Sequence, residues 1–109
     1  MNLNIKTNNQ EKCDHALVDL YNVYDPEVGL NIVDLGLVYE INFNEENKNV
    51  ECIMTLTSQF CLMGEAITSD TTNSLSSSFP EWKVNINLIF DPPWDFSKIS
   101  QEGKEFLGH

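Results

Sequence analysis

The hydrophobic positions in the first part of the chain recur at helical spacing. From about residue 10 to 23, apolar side chains lie three and four positions apart, which is the stripe of an amphipathic helix. Asn8 or Asn9 is placed to cap the N-terminus of this helix, and Asp25-Pro26 should end it, because proline disfavours helix in the preceding residue. The apolar positions are Cys13, Ala16, Leu17, Leu20 and Tyr21.

Two stretches of alternating hydrophobic and polar positions come next, after an ordered loop expected over residues 25–36. Residues 37–43 and 50–56 each alternate with a period of two, and the polar turn NEENKN separates them. This alternation is typical of strands with one buried face, and so short a connection predicts an antiparallel hairpin. The inward positions are expected to be Leu37, Tyr39, Ile41 and Phe43 in the first strand and Val50, Cys52, Met54 and Leu56 in the second.

The last third of the chain predicts a helix, a strand and a short final helix. Apolar or small residues four apart predict a helix over about 63–78, although its many Ser and Thr residues are mediocre helix formers. Residues 82–90 alternate again and predict a strand, which the prolines of DPPW at 91–94 should stop. A short helix is expected over about 100–106.

The order of these elements predicts the fold class. The succession α-β-β-α-β favours a two-layer α+β domain with helices on one face of a small mixed sheet. The strand-helix-strand step should form a right-handed crossover. The length of 109 residues suits one domain spanning 1–109, in which the asparagine-rich residues 1–9 are expected to be loose.

Composition and charge narrow the classes of partner. The chain carries 17 acidic and 6 basic side chains, a formal charge of −11, which repels nucleic acid and anionic lipid. Its three cysteines form no CxxC pair and suggest a reducing compartment. The polar N-terminal segment resembles no signal peptide and no apolar run is long enough to span a membrane, so we expect a cytoplasmic protein.

Cys61 is the candidate for thiol chemistry. It lies at the predicted corner between the second strand and the second helix, where free amides and the helix dipole favour a thiolate. An inert corner cysteine is an equally open interpretation. Cys13 and Cys52 fall on inward faces and are expected to lie in the core. One accessible thiolate cannot hold an iron–sulfur cluster alone, because such a site needs about four.

The sequence offers little for catalysis. A cysteine nucleophile needs a base, and His15, the credible histidine, falls opposite the apolar stripe of the first helix. A thiol-redox module would need a resolving cysteine near Cys61, and the chain has none there. The residues therefore disfavour both a cysteine hydrolase and a thiol-redox module.

Two polar motifs allow alternative interpretations. Asp25, Glu27 and Asp34 cluster in one loop, where carboxylates act as acid and base, bind a hard cation, or brace the loop through Asx-type hydrogen bonds. Asp91 and Trp94 flank two prolines, and the motif is either a recognition ledge or a rigid strand terminator whose tryptophan packs on the core.

Several motifs occur together in an order that resembles a known family. They are DPEVGLNIVDLGLVYEI, MTLT, the cysteine before MGEAI, DPPW and ISQEGKEFLG, and they cover roughly residues 11–108. The chain resembles the SufT/PaaD-like family of metal–sulfur cluster assembly factors. At the cysteine, members usually have Gly-Cys-Pro where this chain has Phe60-Cys61-Leu62. The cysteine-bearing C-terminal extension common in PaaD-type members is not seen here, so the SufT-like branch fits better.

The resemblance implies a non-enzymatic accessory role in iron–sulfur protein maturation, as carrier or adaptor, with iron–sulfur carriers and apo-targets as partners. It implies that Cys61 is a transient ligand for a cluster or iron that one chain does not bind tightly, with a homodimer left open. The alternatives are a metal-free adaptor linking a carrier to apo-targets, or a PaaD-like accessory protein of an aromatic-acid oxygenase. The other motif positions are Asp25, Glu27, Asp34, Thr57, Gly64, Asp91, Pro92, Pro93 and Trp94.

Overall fold

The computed structural model describes residues 5–26, 28–57, 64–91 and 93–108. Its six strands pair into a four-stranded sheet of order β1-β4-β5-β6 and a two-stranded ribbon of β2 and β3. The strands are β1 (Lys6–Thr7), β2 (Tyr24–Asp25), β3 (Leu30–Asn31), β4 (Val38–Asn44), β5 (Asn49–Met54) and β6 (Lys83–Leu88). The helices are α1 (Gln10–Leu20), α2 (Gly64–Ser78) and α3 (Gln101–Leu107), with a 3-10 turn at Phe96–Lys98.

Helix α1 begins where the sequence predicts and ends sooner. The side-chain oxygen of Asn9 accepts the amide of Lys12 at 3.1 Å, which caps the N-terminus. The helix ends at Leu20, before the predicted end near residue 23, because the amide of Val23 bonds to the Leu20 carbonyl in a turn that leads into β2. Its buried residues are the predicted stripe of Cys13, Ala16, Leu17 and Leu20.

Residues 5–9 correct the expectation that the N-terminal segment is loose. Lys6 and Thr7 pair in parallel with Glu40 and Ile41 of β4. The side chain of Asn8 then donates to the Phe43 carbonyl at 2.8 Å and accepts the Phe43 amide at 2.9 Å. An asparagine side chain presents the same donor and acceptor as a peptide group, so Asn8 extends this edge of the sheet by side-chain bonding.

Strands β4 and β5 form the predicted antiparallel hairpin, with one irregularity. Their register shifts between Val38 and Glu40, which marks a bulge. The extra residue changes the expected alternation: Val38 is buried, whereas Tyr39, predicted to face inward, is only half-buried. Beyond the bulge the prediction holds, and Ile41 of β4 lies beside Cys52 of β5 with both side chains buried.

The second half of the sheet confirms the mixed topology. Helix α2 connects β5 to β6, and these two strands pair in parallel with Cys52 beside Ile86. The helix buries Ile67, Thr71 and Leu75, and the Thr71 hydroxyl donates to the Ile67 carbonyl at 2.8 Å. Helices α1 and α2 pack against each other and contact β4 and β6 respectively, which is the predicted two-layer α+β arrangement.

Within the described ranges, no helix has both the length and the apolar character needed to cross a membrane. The buried hydrophobic side chains form one cluster that includes the sheet, both long helices, the loop around β3 and Ile99 near the C-terminus. The last helix therefore packs on the same core as the sheet, where its Gly103 is buried.

Candidate functional site

The segment that carries Cys61 connects the end of β5 to the start of α2, and Cys61 itself lies outside the described residues. Its two flanks are described. Thr57 is half-buried in a bend beyond β5, and Gly64 is the buried first residue of α2. A Cβ atom on Gly64 would lie 2.8 Å from the Leu56 Cδ1 atom. The glycine therefore allows the helix start to approach the chain just beyond the strand.

The other two cysteines belong to the core, as predicted. Cys13 and Cys52 are both completely buried. Burial raises the pKa of Cys13 and raises the pKa of Cys52 to about 12, because a thiolate loses its hydration there. Both thiols therefore stay protonated and shielded near neutral pH.

Asp25 is a buried carboxylate that begins a tight turn. Its carbonyl oxygen accepts the amides of Val28 at 3.2 Å and Gly29 at 2.7 Å, and its Oδ1 atom lies 3.4 Å from the Val28 nitrogen. Gly29 has a φ of 81°, in the left-handed region that favours glycine. These contacts match the interpretation of this acid as an Asx-type loop brace. Glu27, its neighbour in the motif, lies outside the described residues.

Asp34 joins the loop to the C-terminal segment. Its Oδ2 atom accepts the side-chain amide of Asn31 at 2.7 Å, and its Oδ1 atom accepts the Ser100 hydroxyl at 2.7 Å. The backbone adds two bonds, from the Asp34 amide to Asn31 Oδ1 at 2.8 Å and from the Ser100 amide to the Asp34 carbonyl at 2.8 Å. This carboxylate is therefore committed to holding two segments together.

Ser100 and Asn31 are the residues that sequence reasoning missed at this site. The Ser100 hydroxyl also accepts the Gly103 amide at 3.0 Å, so Ser100 caps α3. The sequence prediction placed Ser100 inside the last helix, over about 100–106, whereas the helix begins at Gln101; serine is a common N-cap residue, and that preference was the available signal. No local pattern links Ser100 to Asp34, because the two lie far apart in the sequence.

The described residues of the DPPW motif differ in exposure. Trp94 is half-buried, and its indole nitrogen donates to the Leu35 carbonyl at 2.6 Å. Asp91 and Pro93 are exposed, and Pro92 lies outside the described residues. Trp94 therefore fits the strand-terminator interpretation, and the exposed pair leaves surface for contacts.

Gly36 completes this region, which we call the braced loop: residues 30–36 together with the segment 93–103 that packs on them. A Cβ atom on Gly36 would lie 2.1 Å from the Lys98 carbonyl oxygen, and its φ is 78°. Two backbones thus approach each other where only glycine fits.

Among the described residues, no group of three or more His, Cys, Asp and Glu side chains lies close enough to hold a metal ion. The described part of the acidic loop thus braces the fold, and the thiol candidate remains the segment between Thr57 and Gly64.

Comparison with known proteins found a matching family model and several similar relatives. Residues 16–88 match the model of the iron–sulfur cluster assembly protein family. The chain is 39% identical to the Fe-S protein maturation auxiliary factor SufT of Staphylococcus aureus, over 79% of this chain and 97% of that protein. It is 37% identical to the Fe-S protein maturation auxiliary factor YitW of Bacillus subtilis, over 82% of this chain and 86% of that protein.

Two solved structures share its fold. The DUF59 domain of unknown function from Bacillus anthracis superposes with a TM-score of 0.84 at 37% identity, over 91% of this chain and 93% of that one. A conserved hypothetical protein from Thermotoga maritima gives a TM-score of 0.74 at 36% identity, over 88% and 93% of the two chains. With the family model, the near-complete relatives and the shared fold in agreement, this chain belongs to the iron–sulfur cluster assembly protein family.

Proposed function

We propose that this chain is an auxiliary factor in the maturation of iron–sulfur proteins, and that Cys61 is a labile thiolate ligand for a cluster or iron in transit. The observation that carries the role is the similarity, along most of the chain, to relatives named Fe-S protein maturation auxiliary factors. Such a factor handles the cluster as cargo and needs no catalytic group of its own.

The assignment of the ligand to Cys61 is supported by the burial of the other cysteines. A thiol binds iron as the thiolate, and Cys13 and Cys52 are buried with raised pKa values. Cys61 belongs to the segment that leads into the N-terminus of α2, an element of fifteen residues. The positive end of a helix dipole favours a thiolate nearby.

One thiolate makes a weak and reversible site, which suits transfer. A cluster usually takes about four thiolates, so the remaining ligands come from a carrier protein, an apo-target, a small thiol or a second copy of the chain. The proposed partners are therefore iron–sulfur carriers and apo-targets, in the cytoplasm.

The other motif positions have supporting roles in this proposal. Asp34 and Trp94 hold the braced loop through their hydrogen bonds to Ser100 and Leu35. Thr57 and Gly64 fix the two ends of the Cys61 segment. We propose the exposed Asp91 and Pro93 as contacts for a carrier or target and Asp25 as a brace of its loop; Glu27 and Pro92 remain motif positions outside the described residues.

The test is anaerobic reconstitution with iron and sulfide, followed by absorption spectra and iron counting. Wild type, Cys61→Ser and the matched controls Cys13→Ala and Cys52→Ala are treated in parallel. We expect charge-transfer bands in wild type and in both controls, and a loss of bands and iron in Cys61→Ser. Alkylation near pH 8 should label Cys61 and spare the two buried thiols, because their pKa values are raised.

The outcomes separate the carrier from the adaptor. Bands of equal strength in wild type and Cys61→Ser would remove Cys61 from the ligand set. An absence of bands in every protein, together with binding to a cluster carrier that survives Cys61→Ser, would favour a metal-free adaptor. In that case the exposed Asp91 and Pro93 are the first positions to probe for docking.

A further inference from the structure

Within the part of the chain that the structure describes, the outer side of β6 pairs with no other strand. The strand order places β6 at the end of the sheet, with β5 as its neighbour among the described residues. The amides of Lys83 and Ile89 donate to Lys48 and Met54 at 2.8 Å, so the peptide groups of odd-numbered residues point toward β5. Because peptide groups alternate along a strand, those of Val84, Ile86 and Leu88 point away from the sheet.

The side chains of β6 divide in the same way. The odd positions carry exposed polar groups on the open face, at Lys83, Asn85 and Asn87. The even positions of β6 carry apolar side chains, half-buried at Val84 and Ile86 and 37% exposed at Leu88; two residues beyond the strand, Phe90 is 39% exposed. Next to Ile86 and Leu88 lies a shallow groove whose other wall includes Thr68, Ser69 and Thr72 of α2.

We propose that β6 pairs antiparallel with β6 of a second copy of this chain, about a two-fold axis at Asn87. In that register Ile86 faces Leu88 of the second copy, and both residues use outward peptide groups, as a hydrogen-bonded antiparallel pair requires. Val84 likewise faces Phe90. The apolar side chains of the two copies then meet on the helix face, and asparagines meet on the open face.

The charged residues favour this pairing register over the one whose two-fold axis lies one residue earlier, at Ile86. Strand β6 ends at Leu88; if the pairing continues three residues further, an axis at Asn87 places Lys83 opposite Asp91 of the second copy, and the symmetry forms this opposite-charge pair twice. With the axis at Ile86, Glu81 would lie opposite Asp91, which gives two repulsive pairs. Opposite charges across a strand pair stabilise it and like charges destabilise it.

The β6 edge itself carries little of the negative charge of the chain, although Glu65 of α2 lines the adjoining groove. The formal charge of −11 makes most encounters between copies repulsive. Residues 82–90 (WKVNINLIF) contain no carboxylate and one lysine. A long open edge with apolar side chains is also a template for strand pairing, which proteins otherwise block with charges or proline. The two-fold pairing covers the β6 edge of both copies at once.

The proposal concerns assembly alone and holds with or without cluster binding by Cys61. Its test uses purified, metal-free full-length chain and sedimentation equilibrium over a range of protein concentrations. We expect wild type to reach twice the 12.4 kDa mass of the chain. Leu88→Lys should abolish the dimer, whereas Val18→Lys, on an exposed apolar position of α1, should leave it unchanged.

A charge-swap series tests the register itself. Lys83→Asp and Asp91→Lys should each weaken dimerisation, by about tenfold, because each creates two like-charge pairs. The double variant should return to near the wild-type dissociation constant. Lys83 and Asp91 are both exposed, so these variants are expected to fold even if Leu88→Lys does not.

Amide hydrogen exchange adds a residue-by-residue readout. The amides of Ile86 and Leu88 should become protected as the protein concentration rises, whereas those of Asn85 and Asn87, which face β5, should be protected at every concentration. A wild-type chain that stays monomeric, a dimer unaffected by both Leu88→Lys and Lys83→Asp, or a double variant no tighter than the single ones would each overturn the proposal.

Discussion

The braced loop and the β6 edge use their polar groups in opposite ways. In the braced loop, the side chains of Asp34, Asn31 and Ser100 bond to one another, and the indole of Trp94 bonds to a backbone carbonyl. At β6, every second peptide group points away from the sheet, with apolar side chains beside it. The described acids of the motif, Asp25 and Asp34, bond within the fold, whereas the outer side of β6 pairs with no strand among the described residues.

The difference shows that charged residues in a family motif need not be its interaction surface. A buried polar group that loses its partner costs more than the bond itself contributed, so the braced loop should be sensitive to substitution. Strand β6 packs on β5 and α2, but side chains on its outer edge are partly exposed, so substitutions there should affect association more than stability.

The largest expected effect is at Gly36. Gly36→Ala should lower the free energy of unfolding by roughly 2 to 5 kcal/mol, for two reasons. The new Cβ atom would clash with the Lys98 carbonyl, and the alanine would have to adopt a left-handed φ. Gly29→Ala is the matched control, since Gly29 has a φ of +81° and a Cβ atom there would meet nothing within 4 Å. It should lose only about 1 kcal/mol. Urea unfolding of the three proteins measures this; equal losses would refute the close approach.

Asp34 comes next. Asp34→Ala removes the acceptor for Asn31 and Ser100 and should cost about 2 to 3 kcal/mol in the free energy of unfolding. Asp34→Asn keeps one acceptor oxygen and should lose about half as much. Asp70→Ala, on an exposed position of α2, should change little. A loss no larger than that of Asp70→Ala would show that the carboxylate does not brace the loop.

Trp94 tests a single bond of the same region. Trp94→Phe keeps an aromatic ring on the core and deletes the donor to the Leu35 carbonyl, so it should cost about 1 to 2 kcal/mol. Thermal unfolding reports the loss. Trp82→Phe is a useful control, because Trp82 contacts Phe43 and Phe79 through its ring and phenylalanine retains an aromatic ring there. A Trp94→Phe chain as stable as wild type would show that the indole bond contributes nothing to the loop.

The smallest stability effect is expected at the β6 edge. Leu88→Lys should lower the free energy of unfolding of the monomer by about 1 kcal/mol, because the side chain is 37% exposed and the lysine methylenes keep part of its apolar contact. Measured at a concentration where wild type is monomeric, the urea midpoint should lie slightly below that of Val18→Lys, whose side chain is 62% exposed. A loss comparable to that of Asp34→Ala would mean that Leu88 is part of the core and would remove the contrast between the two regions.

The sequence predicted those parts of the fold that repeat over several turns or strand residues. The stripes of α1 and α2 and the alternation of β5 gave elements with correct buried faces. Strand β1 was not predicted, because two residues show no periodicity and because its pairing partner β4 is distant in the sequence. The bulge at Val38 has no signature in the local sequence, so the simple alternation wrongly predicted that Tyr39 faces inward.

The candidate site was predictable only in part, and for a similar reason. The core positions of Cys13 and Cys52 followed from periodicity. The bond between Asp34 and Ser100 joins segments far apart in the sequence, so no spacing rule finds it. The role of Cys61 rests on family resemblance, and stays a prediction.

The role of the Cys61 thiolate can be tested in cells that lack this chain, by measuring the activity of an enzyme that depends on an iron–sulfur cluster. The cells are complemented with wild type, Cys61→Ser or Cys13→Ala at matched protein levels and grown with limiting iron. We predict that wild type and Cys13→Ala restore the activity of this enzyme and that Cys61→Ser does not. Full restoration by Cys61→Ser would contradict the role of its thiolate in maturation.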